Sequence, residues 1–155
     1  ENNSVGMVRD DLVSKVFNIS ESQIDDKVNE LLNLINNERE KNGLIKLQIL
    51  PRLQEIAMTK AEDMVKSNYF SHESPSYGNP FDMMKNFGIT YKSAGENIAG
   101  NSNIEGAFNS WLLSENHKQN ILSTAYNYIG IGISPSEKYG YIIVAMFIRK
   151  IASRY

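Results

Sequence analysis

Cysteine is absent from the 155 residues of this chain. The absence excludes disulfide bridges, zinc sites built on thiolates and cysteine nucleophiles at once. It does not fix the compartment, since exported bacterial proteins often lack cysteine as well. Long apolar runs are also missing, because no stretch approaches 18 consecutive apolar residues. The sequence therefore predicts no transmembrane helix.

Charge of one sign is not in excess either. The formal net charge is −2 at pH 7, and the sequence pI is about 5.7. Such a balance gives no electrostatic basis for binding nucleic acid or an anionic membrane surface. We therefore expect no nucleic-acid partner.

The remaining composition is that of an ordinary globular protein, with 41% hydrophobic and 22% charged residues. A chain of this length predicts one domain that buries roughly two thirds of its unfolded surface. The chain begins with Glu1 rather than Met. This start suggests either a trimmed chain or a processed product, so the earlier removal of a signal peptide or a lipid anchor is an open alternative.

The sequence divides into an N-terminal extension or tether at residues 1–22 and a main domain at residues 23–155. The extension contains apolar residues at helical spacing, which predict a short helix packed on the main body. These residues are Val8, Leu12, Val13, Val16 and Phe17.

The first half of the main domain is dominated by helical patterns. A first helix is predicted with Ser22 as its cap and Gly43 as its end, and a second helix starts near Pro51. The segment after the second helix, "NYFSHESPSYGNP", is rich in Ser, Gly and Pro and is predicted to be a loop.

Two further helices follow this loop. A short third helix begins at Asn79-Pro80 and ends at Gly88, with Phe81, Met84 and Phe87 predicted to face inward. A fourth helix is predicted to run from a Ser102 cap through His117, because Glu105 three residues after Ser102 forms a capping-box pattern.

Strand patterns concentrate in the second half of the chain. "ITYKSAGENIA" alternates well enough for an extended segment, "YIGIGI" alternates again, and "YGYIIVAMFI" follows a turn near Gly140. Because helices come first and strands last, we predict an α+β fold with an antiparallel sheet covered by helices.

Histidine is scarce, and its two occurrences are the main candidates for chemistry. His72 and His117 each lie beside small polar residues at the end of an element, while Glu96 is a charge in an otherwise apolar segment. Two imidazoles and a carboxylate suit Zn²⁺ or a related divalent cation. The spacing matches neither the HExxH zinc motif nor the GxSxG nucleophile elbow, so spacing alone leaves structural roles open.

Several segments occur in the order found in one protein family. They are "NNEREKNGL" at 36–44, "AEDMVKSNYFSHESPSYGNPFDMMKNFGI" at 61–89, "AGENIA" at 94–99, "AFNSWLLSENHKQNIL" at 107–122 and "YIGIGI" at 128–133. Together they resemble the CAP superfamily (cysteine-rich secretory protein, antigen 5 and pathogenesis-related 1). The resemblance is to its short bacterial SCP-like branch and spans residues 28 to 148.

The resemblance implies a three-layer α-β-α sandwich with a cleft in which two His and two Glu residues hold a divalent cation, often Zn²⁺. His72 and His117 match the two histidines of the cleft, and Glu96 matches the Glu of the Gly-Glu-Asn motif. The family's second Glu lies in a loop that this chain lacks, so Glu115 is either its substitute or an exposed helical residue. Trp111 and Asn97 are expected to be structural.

The resemblance also implies a secreted or cell-surface protein, which the polar start would allow to be lipid-anchored. We expect a monomeric binding or host-interaction module with a surface ligand of unknown identity. One alternative is a metal-dependent or His/Glu hydrolase of the peptidase type with Glu96 as general base, although the sequence identifies neither an activated water nor an oxyanion stabiliser. A further alternative is sterol or lipid binding.

Overall fold

A computed structural model describes residues 19–151 of the chain. The predicted N-terminal helix lies outside these residues, and the division at residues 22 and 23 stays a prediction. The elements, in chain order, are α1 (Glu21–Lys41), β1 (Gln48–Ile49), α2 (Pro51–Lys66), α3 (Pro80–Asn86), β2 (Tyr91–Asn101), α4 (Ile104–Leu113), α5 (Glu115–Ile121), β3 (Tyr128–Ser136) and β4 (Gly140–Lys150).

The strands form one sheet in the order β1-β3-β4-β2, in which β1 pairs parallel to β3 and the other pairs are antiparallel. Alternate residues of β4 face opposite sides of this sheet. Ile143 and Phe147 pack with the apolar faces of α1 and α4, whereas Val144 and Met146 pack with α2 and α3. The fold is therefore the predicted α-β-α sandwich, with one apolar core on each face of the sheet.

Two positions of β3 in the segment "YIGIGI" have no room for a side chain. A Cβ atom on Gly132 would lie 2.1 Å from the carbonyl oxygen of Ala57, and one on Gly130 would lie 2.4 Å from the backbone of Leu53. Both contacts are with the backbone of α2, which cannot rotate away. The glycines therefore set how closely α2 approaches the sheet.

The first cap and the third helix differ from the predictions. Ser20, not Ser22, caps α1, because its hydroxyl accepts from the N–H of Gln23 while the Gln23 side chain accepts from the Ser20 N–H. In α3 the prediction of an inward-facing Phe81 was wrong, since this ring is 42% exposed and Met83 is buried instead. A helix of only seven residues has too few turns for its periodicity to fix the buried face.

The fourth predicted helix is two helices. The cap of α4 is Asn103 rather than Ser102, and its side chain accepts from the N–H of Gly106 at 2.6 Å. The chain then leaves helical geometry at Ser114, where φ is −105° and ψ is 123°, before α5 begins. His117 consequently lies in the first turns of a separate short helix rather than at the end of a long one.

No helix within residues 19–151 is both long enough and apolar enough to cross a bilayer.

Candidate functional site

The candidate residues meet at β2, which is the last strand of the sheet order. Glu96 pairs with Met146 and faces the side of the sheet covered by α2. Asn97 faces the other side, where α4 and α5 lie. His72 approaches from the loop after α2 and His117 from α5, so the site wraps around the edge of the sheet.

The outer edge of β2 is covered by side chains of these helices. The indole Nε1 of Trp111 donates to the carbonyl oxygen of Ile98 at 3.0 Å, and the amide of Asn120 donates to the carbonyl oxygen of Glu96 at 3.4 Å. Edge carbonyls that would otherwise require solvent or another strand are thereby bonded within the domain. Trp111 is 1% exposed, which confirms the structural role predicted for it.

Glu96 and His72 are in direct contact. The Glu96 Oε1 atom lies 2.7 Å from Nδ1 of His72, and the Glu96 side chain is only 1% exposed while that of His72 is 53% exposed. The second carboxylate oxygen, Oε2, is buried without a hydrogen-bond partner among residues 19–151. Because an unsatisfied buried carboxylate oxygen is costly, this atom marks a place where a further donor or a cation would be stabilised.

Lys60 is a component of the site that the sequence interpretation missed. It is fully buried on α2, and its ammonium group donates to the carbonyl oxygen of His72. Burial lowers the pKa of Lys60, while the nearby carboxylates of Glu96, Asp63 and Glu73 act in the opposite direction. The signal was present, since Lys60 interrupts the apolar face formed by Ile56, Ala57, Ala61 and Met64.

The loop that carries His72 is fastened to α2 through Asp63. The hydroxyls of Tyr69 and Ser74 both donate to the Asp63 carboxylate, the second at 2.7 Å. The Ser74 hydroxyl in turn accepts from the backbone N–H groups of Ser76 and Tyr77. Burial, followed by this contact with Asp63, raises the pKa of the Tyr69 hydroxyl. The bonds hold the chain on both sides of His72 in place.

His117 is held by three contacts on the opposite side. Its Nδ1 atom lies 2.9 Å from the Ser114 hydroxyl, and its ring stacks on Trp111 with 6.4 Å between centroids. Its carbonyl oxygen accepts from the amide of Asn97 at 3.0 Å. Burial lowers the pKa of His117, and the charge of His72 lowers it further. The imidazole is therefore poised to be neutral near pH 7.

Close packing explains the glycine of the Gly-Glu-Asn segment, and hydrogen bonds explain its asparagine. A Cβ atom on Gly95 would lie 2.6 Å from the hydroxyl of Tyr126 and 2.8 Å from the side-chain oxygen of Asn120. Asn97 is fully buried and, besides its bond to His117, accepts from the Asn120 amide at 2.9 Å. The predicted bracing role of Asn97 is confirmed.

Glu115 lies apart from this arrangement. It is exposed at the start of α5 and lines a shallow depression of about 500 Å³ together with Lys118 and Leu122. Within residues 19–151 no three His, Cys, Asp or Glu side chains form a group that would hold a metal ion. The structure thus pairs His72 with Glu96 and places His117 near His72, and metal binding by the predicted set of His72, Glu96, His117 and Glu115 stays a prediction.

Arg39 is a second buried cation that the sequence interpretation missed. It is 1% exposed on α1, and its guanidinium donates to the carbonyl oxygens of Ile121 and Ser123 at 2.8 and 2.9 Å. These carbonyls lie at the end of α5, where a cation also complements the helix dipole. Arg39 thereby fixes the helix that carries His117. It follows Ile35 by one helical turn on the apolar face of α1, which is the sequence signal for it.

Comparison with known proteins places this geometry in context. A profile of the cysteine-rich secretory protein (CAP) family matches residues 32–147. The YkwD protein of Bacillus subtilis (strain 168) is 48% identical over 122 residues, which are 78% of this chain and 46% of that protein. The membrane protein YlbC of the same organism is 38% identical over 128 residues, which are 81% of this chain and 35% of that protein. The chain thus spans less than half the length of either relative.

A solved structure shows the same fold. The extracellular protein containing an SCP domain from Bacillus anthracis str. Ames superposes with a TM-score of 0.77 and 28% sequence identity. The superposition covers 85% of this chain and 44% of that chain.

Proposed function

The chain belongs to the cysteine-rich secretory protein (CAP) family, and from this premise we propose that it is an extracellular or cell-surface binding module whose His72–Glu96–His117 cleft takes a divalent cation such as Zn²⁺. The extracellular part of the proposal is supported by the Bacillus anthracis protein, which is described as extracellular. The module's partner would be a ligand on a host or cell surface.

The observation that carries the proposal is the state of the Glu96 carboxylate. One of its oxygens bonds His72, and the other is buried without a hydrogen-bond partner among residues 19–151. A buried anion of this kind is stabilised by positive charge. Lys60 supplies part of that charge, but its ammonium group bonds the His72 carbonyl rather than the free oxygen. A cation held next to the histidines would complete the compensation.

The two imidazoles fit a metal ligand role. In each ring Nδ1 is already engaged, by Glu96 in His72 and by Ser114 in His117, which leaves Nε2 available. Histidine ligands in proteins commonly have their second ring nitrogen bonded to a carboxylate or another polar group, which fixes the ring and raises its basicity. His72 and His117 would therefore hold the ion, Glu96 would orient His72, and solvent would complete a shell that the protein supplies only in part.

Calorimetric titration with zinc chloride tests this proposal. We expect wild-type protein to bind one ion, and His72→Ala and His117→Ala each to lower the affinity by at least roughly tenfold, which corresponds to about 1.4 kcal/mol. Glu96→Gln should weaken binding as well, by about 10- to 100-fold for the loss of an orienting carboxylate. Glu115→Gln is the matched control and should bind like wild type.

Equal zinc affinity in wild type and in both histidine variants would refute the proposed site. Acid provides an independent check, because the imidazoles must be neutral to act as ligands. The affinity should fall below about pH 6, near the ordinary His pKa of about 6.5. An affinity that stays constant as the pH is lowered through this range would exclude histidine ligands.

The Glu96–His72 hydrogen bond also favours a second function, hydrolysis of a peptide bond. A carboxylate that orients an imidazole is the base-and-orienter arrangement of many hydrolases. Here the exposed His72 would accept a proton from an attacking water, with Glu96 behind it. A peptide library incubated with the metal-free protein tests this, since Nε2 of His72 is then free to accept the proton and turnover should disappear in Glu96→Gln. An uncleaved library would eliminate the hydrolytic function and leave cation binding unaffected.

A further inference from the structure

A pocket of about 460 Å³ lies beside the candidate site, and its lining contains neither histidine nor Glu96 and meets the site only through Tyr69. It is formed where the end of α2 and the following residues 68–70 face the β3–β4 turn and Ile142. This volume is within the range of about 300–1,000 Å³ that is typical of small-molecule sites. Three aromatic rings line it, and we call it the Phe70–Tyr139 pocket after the two that contact each other.

The rings of Phe70 and Tyr139 contact each other and form an aromatic wall of the pocket. Their centroids are 5.5 Å apart and their planes are inclined at 45°. Tyr139 is seated against the backbone of β2, because a Cβ atom on Gly100 would lie 2.6 Å from its ring. Phe70 is 43% exposed, so a large apolar face is left open to solvent at this place. Met64 and Ile142, which are 1% and 3% exposed, provide an apolar floor beneath the rings.

Polar groups of several kinds surround this wall. The lining includes the Asn68 amide, the Ser136 hydroxyl, the exposed Glu137 carboxylate and the exposed Lys138 ammonium group. Lys138 Nζ lies 5.2 Å from the centroid of the Tyr139 ring, so donor and aromatic face are adjacent. Ser136 is fixed in the turn, since its hydroxyl accepts from the N–H of Tyr139 at 3.2 Å.

This combination discriminates between classes of ligand. An acyl chain gains most from an enclosed apolar channel, whereas this pocket is partly open and has an amide, hydroxyls, a carboxylate and an ammonium group along its lining. A phosphate or other multiply charged anion gains from an excess of cations, but Glu137 lies next to Lys138 and opposes it. A sugar ring has an apolar C–H face for an aromatic ring and hydroxyls around its rim for neutral and charged partners.

We propose that the Phe70–Tyr139 pocket binds one ring of an oligosaccharide of N-acetylated hexoses. The C–H face of the ring packs on Phe70 and Tyr139, and the acetamido methyl group reaches the floor made by Met64 and Ile142. The acetamido N–H donates to Glu137, and its carbonyl oxygen accepts from Lys138 or from Asn68. Both polar groups of the acetamido substituent thereby find a partner of the right kind, which favours an N-acetylated hexose over one without the substituent.

Two-dimensional NMR titration of isotope-labelled protein with tri-N-acetylchitotriose tests this proposal. We expect shift changes confined to residues 64–70 and 136–142, and weaker binding of cellotriose, which has the same backbone without acetamido groups. Sodium laurate serves as the acyl-chain arm. No shift change with chitotriose up to about 10 mM, or changes centred on His72, Glu96 and His117 instead, would overturn the proposal. Equal binding of cellotriose, or binding of laurate alone, would also overturn it.

Substitutions at two phenylalanines of matched exposure assign the binding to the pocket. Phe70→Ala should raise the Kd for chitotriose by roughly tenfold or more, while Phe70→Tyr, which keeps the ring, should stay within about threefold of wild type. Phe81 is 42% exposed on α3, outside the pocket lining, so Phe81→Ala should change nothing. Equal losses in Phe70→Ala and Phe81→Ala would contradict the assignment. His72→Ala should keep saccharide binding, which separates this site from the proposed cation site.

Discussion

The amide of Asn97 donates to the carbonyl oxygen of His117 at 3.0 Å and so ties the last strand of the sheet to the helix that carries one half of the candidate site. Asn97 is fully buried and also accepts from Asn120. The bond acts on the backbone of His117, which leaves the imidazole free for other partners. Strand and helix are thereby held at a fixed distance.

Replacement of Asn97 should therefore cost stability. In Asn97→Ala the partly buried His117 carbonyl loses its donor, and the Asn120 amide keeps only the Glu96 carbonyl as acceptor. We expect the free energy of unfolding to fall by about 1–3 kcal/mol, the usual cost of leaving buried polar groups unpaired. Urea denaturation measures this. The exposed neighbour variant Asn116→Ala should stay within about 0.5 kcal/mol of wild type, and equal stability of the two variants would contradict the bracing role.

The layer arrangement was predictable because periodicity and order suffice for it. Helical spacing in α1 and α2, strand alternation near Ile131 and Gly140, and the order of helices before strands lead to an α+β sandwich. The caps at Ser20 and Asn103 and the break at Ser114 were not predictable in the same way. Several neighbouring Ser and Asn residues can cap equally well, and only tertiary packing selects among them.

The candidate site, like the fold, was predictable from the sequence only in part. His72 and Glu96 could be paired from the family motif, and the family match over residues 32–147 confirms the resemblance. The supporting cations were missed because periodicity treats a charge on an apolar face as an interruption rather than as a buried residue with partners. Lys60 and Arg39 both occupy such positions, and both bond backbone carbonyls of the segments that carry the histidines. Their partners are distant in sequence or lie in irregular loops, where local patterns carry no information.

Substitution of Gly132 tests whether the close packing of α2 on the sheet requires a glycine at this position. In Gly132→Ala the new Cβ atom would meet the Ala57 carbonyl oxygen at 2.1 Å, so helix or strand must shift. We expect a loss of about 3 kcal/mol in the free energy of unfolding, the upper end of overpacking costs. Thermal and urea unfolding measure it.

The control for this substitution is Gly106→Ala in α4. There a Cβ atom would meet side-chain atoms of Asn101 and Asn103, the nearest at 2.9 Å, which can shift at the cost of weakening the cap bond from the Gly106 N–H to Asn103. The change should stay within about 1 kcal/mol, because alanine also favours the helix. A Gly132→Ala protein as stable as Gly106→Ala would show that the two layers tolerate separation.

Because Lys60 is buried, we expect the free energy of unfolding to rise with pH. Burial lowers its pKa in the folded protein below the ordinary value of 10.5, so between the two pKa values the unfolded chain binds more protons than the folded one. The free energy of unfolding must then increase with pH through that window. Urea midpoints measured from about pH 7 to about pH 9.5 should show this increase in wild type and lose it in Lys60→Met.

The exposed Lys66, six residues away on the same helix, supplies the control. Lys66→Met removes the same charge without a desolvated ammonium group, so its urea midpoints should rise with pH as in wild type. Parallel pH profiles for wild type and Lys60→Met would mean that the buried ammonium group carries no desolvation cost.

For His117 we predict a loss of folding stability in acid. Because burial, and secondarily the charge of His72, lowers its pKa below 6.5, the folded protein favours the neutral imidazole. Its contribution to stability is therefore complete above about pH 6.5 and is lost as the pH falls through the lowered pKa. NMR titration of the ring protons should give a pKa below 6.5 that rises in His72→Gln without reaching the ordinary value, since burial remains. A pKa of His117 that returns fully to 6.5 in His72→Gln would show that charge, rather than burial, is the larger cause.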